Sequence, residues 1–255
     1  MGEMHHLKVG CADCTVINTP TSSFLIDCSG IADHSSLLPL NKKLKAVFIT
    51  HQHYDHFQGL GYLKDQGYSI DYLVYSPYER RYDDNSVEYQ EWQDFINYRE
   101  YYNRNGTKLY APYRQDNFEK PWWEVDGIQF WLLGPASHIA ISSTRELHDA
   151  CLVIHANLAT RKCLFTGDAS DTNLKYIAEN TSNICNDILH ASHHGSINGA
   201  DLDFIKACNS SYTVVSTSPG VHENIPHPTA MERYRNYTKN KVYRTDIDGN
   251  LKWTF

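Results

Sequence analysis

The sequence predicts an α/β protein in which two β-sheets and their outer helices form a four-layer αββα sandwich. Strand-rich segments fill the first 50 residues and return after Gly127, and predicted helices lie between the strands. The 255 residues are 41% hydrophobic and 21% charged, which is ordinary for a chain that buries a sizeable core. No repeat, linker or low-complexity tract divides the sequence, so we expect one domain over residues 1–255.

The elements of the first half follow from apolar alternation and from proline and glycine punctuation. Strands are predicted at residues 7–9, 14–18, 23–27 and 44–50, and a helix at 57–67 that ends at a glycine. Residues 66–124 hold most of the tyrosines, and we predict an aromatic-rich helical insertion there. Within it, Ser86 is expected to cap a helix that Gly106 ends.

Strands return in the second half of the chain and alternate with short helices. The predicted strands are residues 128–132, 151–155, 162–166, 184–189 and 212–216, and the predicted helices are 173–179, 201–207 and 229–236. Residues 241–244 and 251–255 read as a closing hairpin that turns at Asp248-Gly249.

Charge and composition narrow the classes of function. The net charge of −7 argues against a generic basic nucleic-acid-binding protein, although bound divalent ions would add positive charge where a phosphate sits. No apolar run reaches the ~18 residues of a membrane helix, and the first residues lack an apolar signal segment. The seven cysteines are scattered, and Cys11 and Cys14 have no matching second pair. We therefore expect a cytoplasmic protein without a membrane partner.

The strongest chemical signal is the segment 51–56, His-Gln-His-Tyr-Asp-His, which directly follows an apolar strand. Loops at strand ends commonly carry functional groups. Imidazole and carboxylate ligands suit zinc, and an incomplete ligand set leaves room for water. His51 and His53 could therefore bind one metal, and Asp55 and His56 a second.

Two further clusters follow strands in the same way. Asp168 comes after the turn at Gly167, where its carboxylate could bridge two metals. His193 and His194 are adjacent, so that one could bind metal while the other faces substrate. Ser196, just after them, is a candidate for a helix cap or for an oxyanion contact.

A last group of candidates lies near the carboxyl end. His227 stands between prolines, which would stiffen it, and we predict that it contacts substrate. Asn224, in the same segment, is a candidate substrate contact. Arg244 could clamp an anion or could form a structural salt bridge.

The order of these motifs resembles the metallo-β-lactamase-fold hydrolase superfamily, and more narrowly the soluble hydrolase domain of ComEC-type DNA-uptake proteins. Residues 9–13 match that branch's Val-Gly-x-Gly-Asp turn, with alanine for the second glycine. Residues 26–30 match its Ile-Asp-x-Gly segment with one extra residue. The His-x-His-x-Asp-His, Thr-Gly-Asp, His-His-Gly-Ser, His-Pro and Arg-Thr-Asp-x-x-Gly elements then follow in order.

The resemblance implies two divalent metal ions, zinc or manganese, and a hydroxide between them as the nucleophile. The implied metal ligands are His51, His53, Asp55, His56, Asp168 and one of His193 and His194, of which we assign His194 to the metal and His193 to catalysis. Asp55 is also expected to orient the nucleophile. Where the ComEC-like branch usually has Asn-Asn-x-Ser, this chain has His-Asp-Ala-Cys at 148–151. Other branches place a metal-binding histidine near this point, so we predict that His148 is a ligand of the first metal.

Three functions compete. The first is phosphodiester hydrolysis of single-stranded nucleic acid or a nucleotide, in which the aromatic segment could stack bases at ~1–3 kcal/mol each; equally, that segment could be a cap or a homodimer surface. The second is hydrolysis of a phosphorylcholine ester or a lactone, in which aromatic side chains could cage a quaternary ammonium. The third is a non-catalytic binding module, against which the intact ligand motifs argue.

Overall fold

Two seven-stranded sheets pack face to face in the computed structural model, which describes residues 1–255. The first sheet has the order β14-β1-β2-β3-β4-β5-β6 and the second the order β13-β12-β11-β10-β9-β8-β7. The strands of the first sheet are β1 (Glu3–His6), β2 (Cys14–Asn18), β3 (Ser23–Cys28), β4 (Lys43–Ile49), β5 (Ser69–Tyr75), β6 (Lys108–Tyr110) and β14 (Leu251–Thr254). Those of the second are β7 (Trp123–Val125), β8 (Ile128–Gly134), β9 (Val153–Leu158), β10 (Arg161–Phe165), β11 (Ile188–His190), β12 (Tyr212–Val215) and β13 (Lys241–Arg244).

Helices cover the outer faces of both sheets. The α-helices are α1 (Tyr54–Phe57), α2 (Gly59–Asp65), α3 (Tyr89–Arg104), α4 (Ser137–Ala140), α5 (Asp171–Asn180), α6 (Leu202–Cys208), α7 (Pro228–Tyr237) and α8 (Thr245–Asp248). Short 3-10 turns lie at Ile31–Leu37, Leu147–Ala150, Ser192–Gly195 and Ile197–Gly199. No helix combines the length and the apolar character that crossing a membrane requires.

Three apolar clusters separate the four layers. Strand β4 contributes to two of these clusters, because it is buried on both of its faces, as is typical of an internal parallel strand. Ala46 and Phe48 pack between the sheets, whereas Val47 and Ile49 pack outward beneath α1 to α3. A third cluster lies under α5 to α7 on the second sheet. The four-layer αββα sandwich is thus confirmed.

Three details differ from the sequence-based expectations. The two carboxyl-terminal strands are not a hairpin, since β13 pairs with β12 and β14 pairs with β1 in the other sheet. Residues 66–124 hold one helix, α3, but also β5 and β6, which belong to the first sheet. Glu88 rather than Ser86 is the N-cap residue of α3. In the first two cases pairing across a sheet outweighs the local signal, and in the third the Ser86 hydroxyl bonds to Asp84 and to the Leu147 N–H instead of capping the helix.

Candidate metal centre

Histidine and aspartate side chains from four segments meet at one edge of the sandwich. The segment 51–56 follows β4, Asp168 follows β10, and the His193-His194 pair follows β11. β10 and β11 are parallel, so their carboxyl ends reach the same edge. His148 arrives on the 3-10 turn before β9. The strand ends therefore bring together residues that lie over a hundred positions apart.

The side chains that could bind metal form two groups. One of them, called the second ligand group, consists of Asp55, His56 and His194. His194 Nε2 lies 3.4 Å from Asp55 Oδ2, and His56 Nε2 lies 4.0 Å from Asp55 Oδ1. Both histidines are buried, whereas the Asp55 side chain is 34% exposed and faces the cavity. One ligand atom from each residue falls within the span that a single cation could bridge.

The first ligand group consists of His51, His53 and His148. His53 Nδ1 lies 3.0 Å from His51 Nε2 and 3.4 Å from His148 Nε2. These three nitrogens also fall within the reach of one ion. His51 is fully buried, but His53 and His148 are only partly so.

Asp168 lies between the two groups, and its two oxygens face opposite ways. Oδ1 is 3.3 Å from His56 Nε2 and 3.7 Å from His194 Nε2, both in the second group. Oδ2 is 3.8 Å from His51 Nε2 and 4.0 Å from His148 Nε2, both in the first group. Gly167 makes this placement feasible, because a Cβ there would come within 2.4 Å of Thr50 Oγ1.

Unpartnered buried atoms test whether these residues suit a cation. His56 Nε2, His194 Nε2 and Asp168 Oδ1 are all buried without a hydrogen-bond partner. A buried polar atom without a partner costs about 1–3 kcal/mol, so their convergence on one point calls for a common ligand. The donor set of imidazole nitrogens and carboxylate oxygens is one that zinc and manganese accept. The residues present therefore fit a divalent metal.

Neighbouring acceptors orient the free ring nitrogens of three histidines toward the two ligand groups. His56 Nδ1 donates to Asp27 Oδ2 at 2.8 Å, and His194 Nδ1 donates to the Ser216 carbonyl at 3.0 Å, so each ring keeps Nε2 free. His53 is the reverse case. Its Nε2 donates to the Ser86 carbonyl at 2.9 Å, which leaves Nδ1 free to face His51 and His148.

The electrostatics of the two groups differ. Burial opposes charge on His56, yet Asp168, Asp27 and Asp55 outweigh it and raise the pKa of His56 well above its usual range. The same balance raises the pKa of His194 to about 9. In the first group, burial lowers the pKa of His148 to about 3. The second group thus stabilises positive charge on its histidines, whereas burial lowers the pKa of His51 and His148 in the first group and keeps both rings neutral.

A polar network anchors the loop that carries Ser86. Asp84 Oδ1 accepts from the Ser86 backbone N–H at 3.0 Å and from its hydroxyl at 2.6 Å, and Asp84 Oδ2 pairs with Arg145 at 2.9 Å. The Tyr78 hydroxyl donates to the same carboxylate at 2.6 Å. Ser86 Oγ in turn accepts from the backbone N–H of Leu147, the residue before His148. One network therefore reaches both His53 and His148.

The cavity in front of the two groups has a volume of about 270 Å³, and its lining residues are mostly histidines and aspartates. It is lined by His53, Asp55, His148, Asp168, His193, His194, His222 and Ile225. His193 is 21% exposed, with Nε2 3.7 Å from Asp168 Oδ2, whereas His194 is only 3% exposed. The adjacent histidines therefore point to different places, one into the cavity and one into the second group.

Four other predicted site residues lie elsewhere. His227 does not line the cavity; it is the N-cap residue of α7, where Nδ1 accepts from the Thr229 N–H. Ser196 caps the 3-10 turn Ile197–Gly199. Arg244 forms a two-point salt bridge with Asp246 at 3.0 and 2.7 Å, the structural alternative left open above.

Asn224 lies in the exposed stretch before His227, with φ 62°. The same stretch supplies His222, a cavity residue that no motif indicated.

Sequence reasoning also missed the residues behind the ligands. Asp27 orients His56, and Asp13 Oδ1 is buried without a partner, 3.6 Å from His190 Nε2 and 3.7 Å from His194 Nδ1. Asp13 lies within residues 9–13 and Asp27 within residues 26–30, the two amino-terminal segments that resemble the family. That resemblance was the signal that could have indicated a role for both aspartates. Nothing in the sequence indicated Asp84.

Comparison with known proteins agrees with this architecture. The family model described as "Metallo-beta-lactamase superfamily" matches residues 8–139. No curated protein matches the chain. One similar solved structure is the metallo-beta-lactamase fold protein YhfI from Bacillus subtilis, with 14% identity, 99% of both chains covered and a TM-score of 0.58. A diphosphatase of the PhnP family has 13% identity, covers 100% of this chain and 98% of its own, and has a TM-score of 0.54. The metallo hydrolase Igni18 from Ignicoccus hospitalis has 14% identity, 100% of both chains covered and a TM-score of 0.53. At these identities the likeness is one of fold.

Proposed function

Because the chain belongs to the metallo-beta-lactamase superfamily, we propose that it is a metal-dependent hydrolase that cleaves a phosphodiester bond in a nucleotide or a single-stranded nucleic acid. The observation that carries the proposal is Asp168, whose two oxygens face two separate histidine-containing groups. An arrangement of this kind suits a pair of divalent ions, zinc or manganese.

The residues proposed to hold the ions are those of the two ligand groups. His51, His53 and His148 would hold one ion, Asp55, His56 and His194 the other, and Asp168 would contact both. When bound, such a pair lowers the pKa of water to ~7 and stabilises the oxygens of a reacting phosphoryl group. The Asp55 carboxylate, exposed to the cavity, accepts hydrogen bonds from an entering water and thereby orients it.

The remaining polar side chains of the cavity are proposed to act on the substrate. The His193 ring projects into the cavity and can donate a hydrogen bond to a phosphoryl oxygen. His222 lies on the cavity wall, so it is the better placed partner for the leaving group. The sequence analysis predicted that His227 contacts substrate, but its ring accepts a hydrogen bond from the Thr229 backbone N–H of α7.

The nature of the cavity lining favours a phosphoester over the other esters. Only Ile225 among its lining residues is hydrophobic, and the other seven are histidines and aspartates, whose polar atoms suit a phosphoryl group and its metal ions better than an acyl chain or a lactone ring. No aromatic ring of Phe, Tyr or Trp lines it, so a cage for a quaternary ammonium is missing.

The positions of the aromatic residues and the volume of the cavity indicate the size of the substrate. Most aromatic residues of 66–124 pack into the core or line a separate cavity at the side of the sandwich, formed by Tyr72, Val74, Tyr110, Trp122 and Trp123, whereas Tyr82, Tyr89 and Tyr113 are exposed. None of these aromatic residues lines the cavity in front of the two ligand groups, so base stacking inside that cavity is not part of the proposal. A volume of about 270 Å³ accommodates a phosphodiester with one nucleoside, which favours a nucleotide or a strand end.

A substrate panel tests the proposal. Purified protein would be analysed for bound metal and assayed on bis-p-nitrophenyl phosphate, cyclic nucleotides, single- and double-stranded DNA, RNA, a lactone and a phosphorylcholine ester. We expect turnover of a phosphodiester that Asp55→Ala and Asp168→Ala abolish and that the exposed control Asp203→Ala retains. Metal-loaded protein that cleaves only the lactone or the choline ester, or none of the panel, would refute the phosphodiesterase assignment.

A further inference from the structure

A second cleft, with a volume of about 310 Å³, lies on the outer face of the second sheet. It shares no lining residue with the cavity of the metal centre. Its floor is formed by β8, β9 and β10, and its walls by Phe118 and by residues 181–184, which follow α5. The helix ends at Asn180 and so leaves this part of the sheet uncovered.

Strand register puts the polar groups of the cleft floor side by side. Trp131 of β8 stands opposite His155 of β9, and their rings lie 5.4 Å apart. In the next row, Asn157 of β9 stands opposite Lys162 of β10. Side chains on one face of a sheet at paired positions are close neighbours. The floor therefore combines an indole, an imidazole, an amide and an ammonium.

Three polar atoms of this cleft are buried without a hydrogen-bond partner. They are His155 Nε2, Asn157 Oδ1 and Thr181 Oγ1. Asn157 Nδ2 already donates to Gln129 Oε1 at 3.1 Å, so its free carbonyl oxygen calls for a donor. Most of the unpartnered buried atoms of the protein fall either here or in the metal centre. In the metal centre they indicate a ligand, and the same physical reason applies to the cleft.

Charge and aromatic surface indicate what kind of ligand fits. Lys162 makes no ion pair, whereas its neighbour Arg161 pairs with Asp187 at 3.3 Å. Phe118 is held in place by the Arg114 guanidinium, 4.5 Å from its ring, and faces the same space as Trp131. Burial and Lys162 lower the pKa of His155 to about 4, so its imidazole is neutral at pH 7 and offers one donor and one acceptor.

We propose that this cleft binds a small aromatic anion of mononucleotide size, whose ring stacks on Trp131, whose N–H group donates to Asn157 Oδ1, and whose anionic group pairs with Lys162. Indole faces stack on any nucleobase or similar ring. The ammonium supplies the charge-assisted contact that a phosphate or carboxylate requires. The cleft is thus a binding site separate from the metal centre, and its occupancy does not depend on the reaction proposed there.

Calorimetric titration of the full-length protein with adenosine 5′-monophosphate, adenosine and inorganic phosphate tests the proposal. We expect the monophosphate to bind about 10-fold or more tightly than adenosine, because the difference is one charge-assisted hydrogen bond. In Lys162→Met that difference should vanish, since only the anionic contact is removed. Asn157→Leu should weaken both nucleoside ligands, because it removes the acceptor for the base.

Lys64→Met is the matched control, since Lys64 lies on α2 on the opposite side of the sandwich, and it should bind like the wild type. Two outcomes would overturn the proposal. One is no binding of any of the three probes, which means that the cleft holds only water. The other is binding of the monophosphate that is equal in wild type and Lys162→Met, which places the ligand elsewhere.

Discussion

The two ligand groups of the metal centre contain similar side chains but are supported in different ways. The second group takes its support from the sheets, because His56 donates to Asp27 of β3 and His194 donates to Ser216 at the end of β12. The first group depends on loops for two of its three ligands, because His53 donates to Ser86 and His148 lies in a turn tied to the same loop. Buried strands open rarely, whereas loops open locally at low cost. We therefore expect the first group to bind its metal more weakly and to release it first.

Removing Asp168 should have the largest effect, because its carboxylate contacts both groups. Asp168→Ala is expected to reduce bound metal from about two ions per chain to below one and to lower phosphodiester turnover by at least about 10³-fold. Metal analysis by mass spectrometry and the assay on bis-p-nitrophenyl phosphate measure the two effects. Wild-type metal content in this variant would show that Asp168 does not connect the groups.

Substituting one histidine from each group compares them directly. His148→Ala should remove about one ion per chain and leave the second group loaded, and His194→Ala should do the reverse. Titration with a chromogenic chelator resolves the two sites by affinity, and the weaker site should be the one that His148→Ala abolishes. If His148→Ala keeps the wild-type metal content, His148 is not a ligand.

The support behind the second group is tested at Asp27. Asp27→Asn keeps the shape but replaces a charged acceptor of the His56 N–H, and outer carboxylates of this kind typically contribute 10- to 100-fold in metal affinity. We expect the tighter site to weaken by about that factor while the weaker site is unchanged. Asp71→Asn, which alters a carboxylate of β5 that pairs with Lys43 and Lys45 of β4, should change neither affinity. An equal loss in both variants would contradict the positioning role.

The support behind the first group should be sensitive to acid. Burial would raise the pKa of Asp84, but hydrogen bonds from Ser86, Tyr78 and Arg145 lower it to about 2, against ~3.9 in the unfolded chain. A lowered folded pKa gives stability that is present above pH ~4 and is lost as the pH falls toward 2, amounting to about 2 kcal/mol. Urea unfolding at pH 6 and pH 2.5 measures it. Asp84→Asn should show a smaller loss over that range than wild type, and equal losses would contradict the assignment.

Most of the residues that meet at the candidate metal centre could be predicted from the sequence because they follow a strand end within a short local pattern. His51 to His56, Asp168 and the histidine pair at 193–194 are of this kind, and the sandwich followed from the order of strands and helices. The Asp84–Arg145 pair could not be foreseen, since it joins positions 61 residues apart with no shared pattern. The pairing partners of β13 and β14 were predicted wrongly for a related reason. Asp248-Gly249 has a turn signature, but pairing with β12 and β1 is decided by sheet edges formed much earlier in the chain.

His193 and His194 both have left-handed backbone conformations, with φ of 52° at each residue. Residues other than glycine adopt that region at a cost on the order of 1–3 kcal/mol each. A protein library selected only for heat resistance would therefore drift toward glycine at these two positions and lose its histidines. The two histidines thus lower the thermal stability of the protein at this turn. Stabilising substitutions should therefore be sought at other positions, with this turn left unchanged.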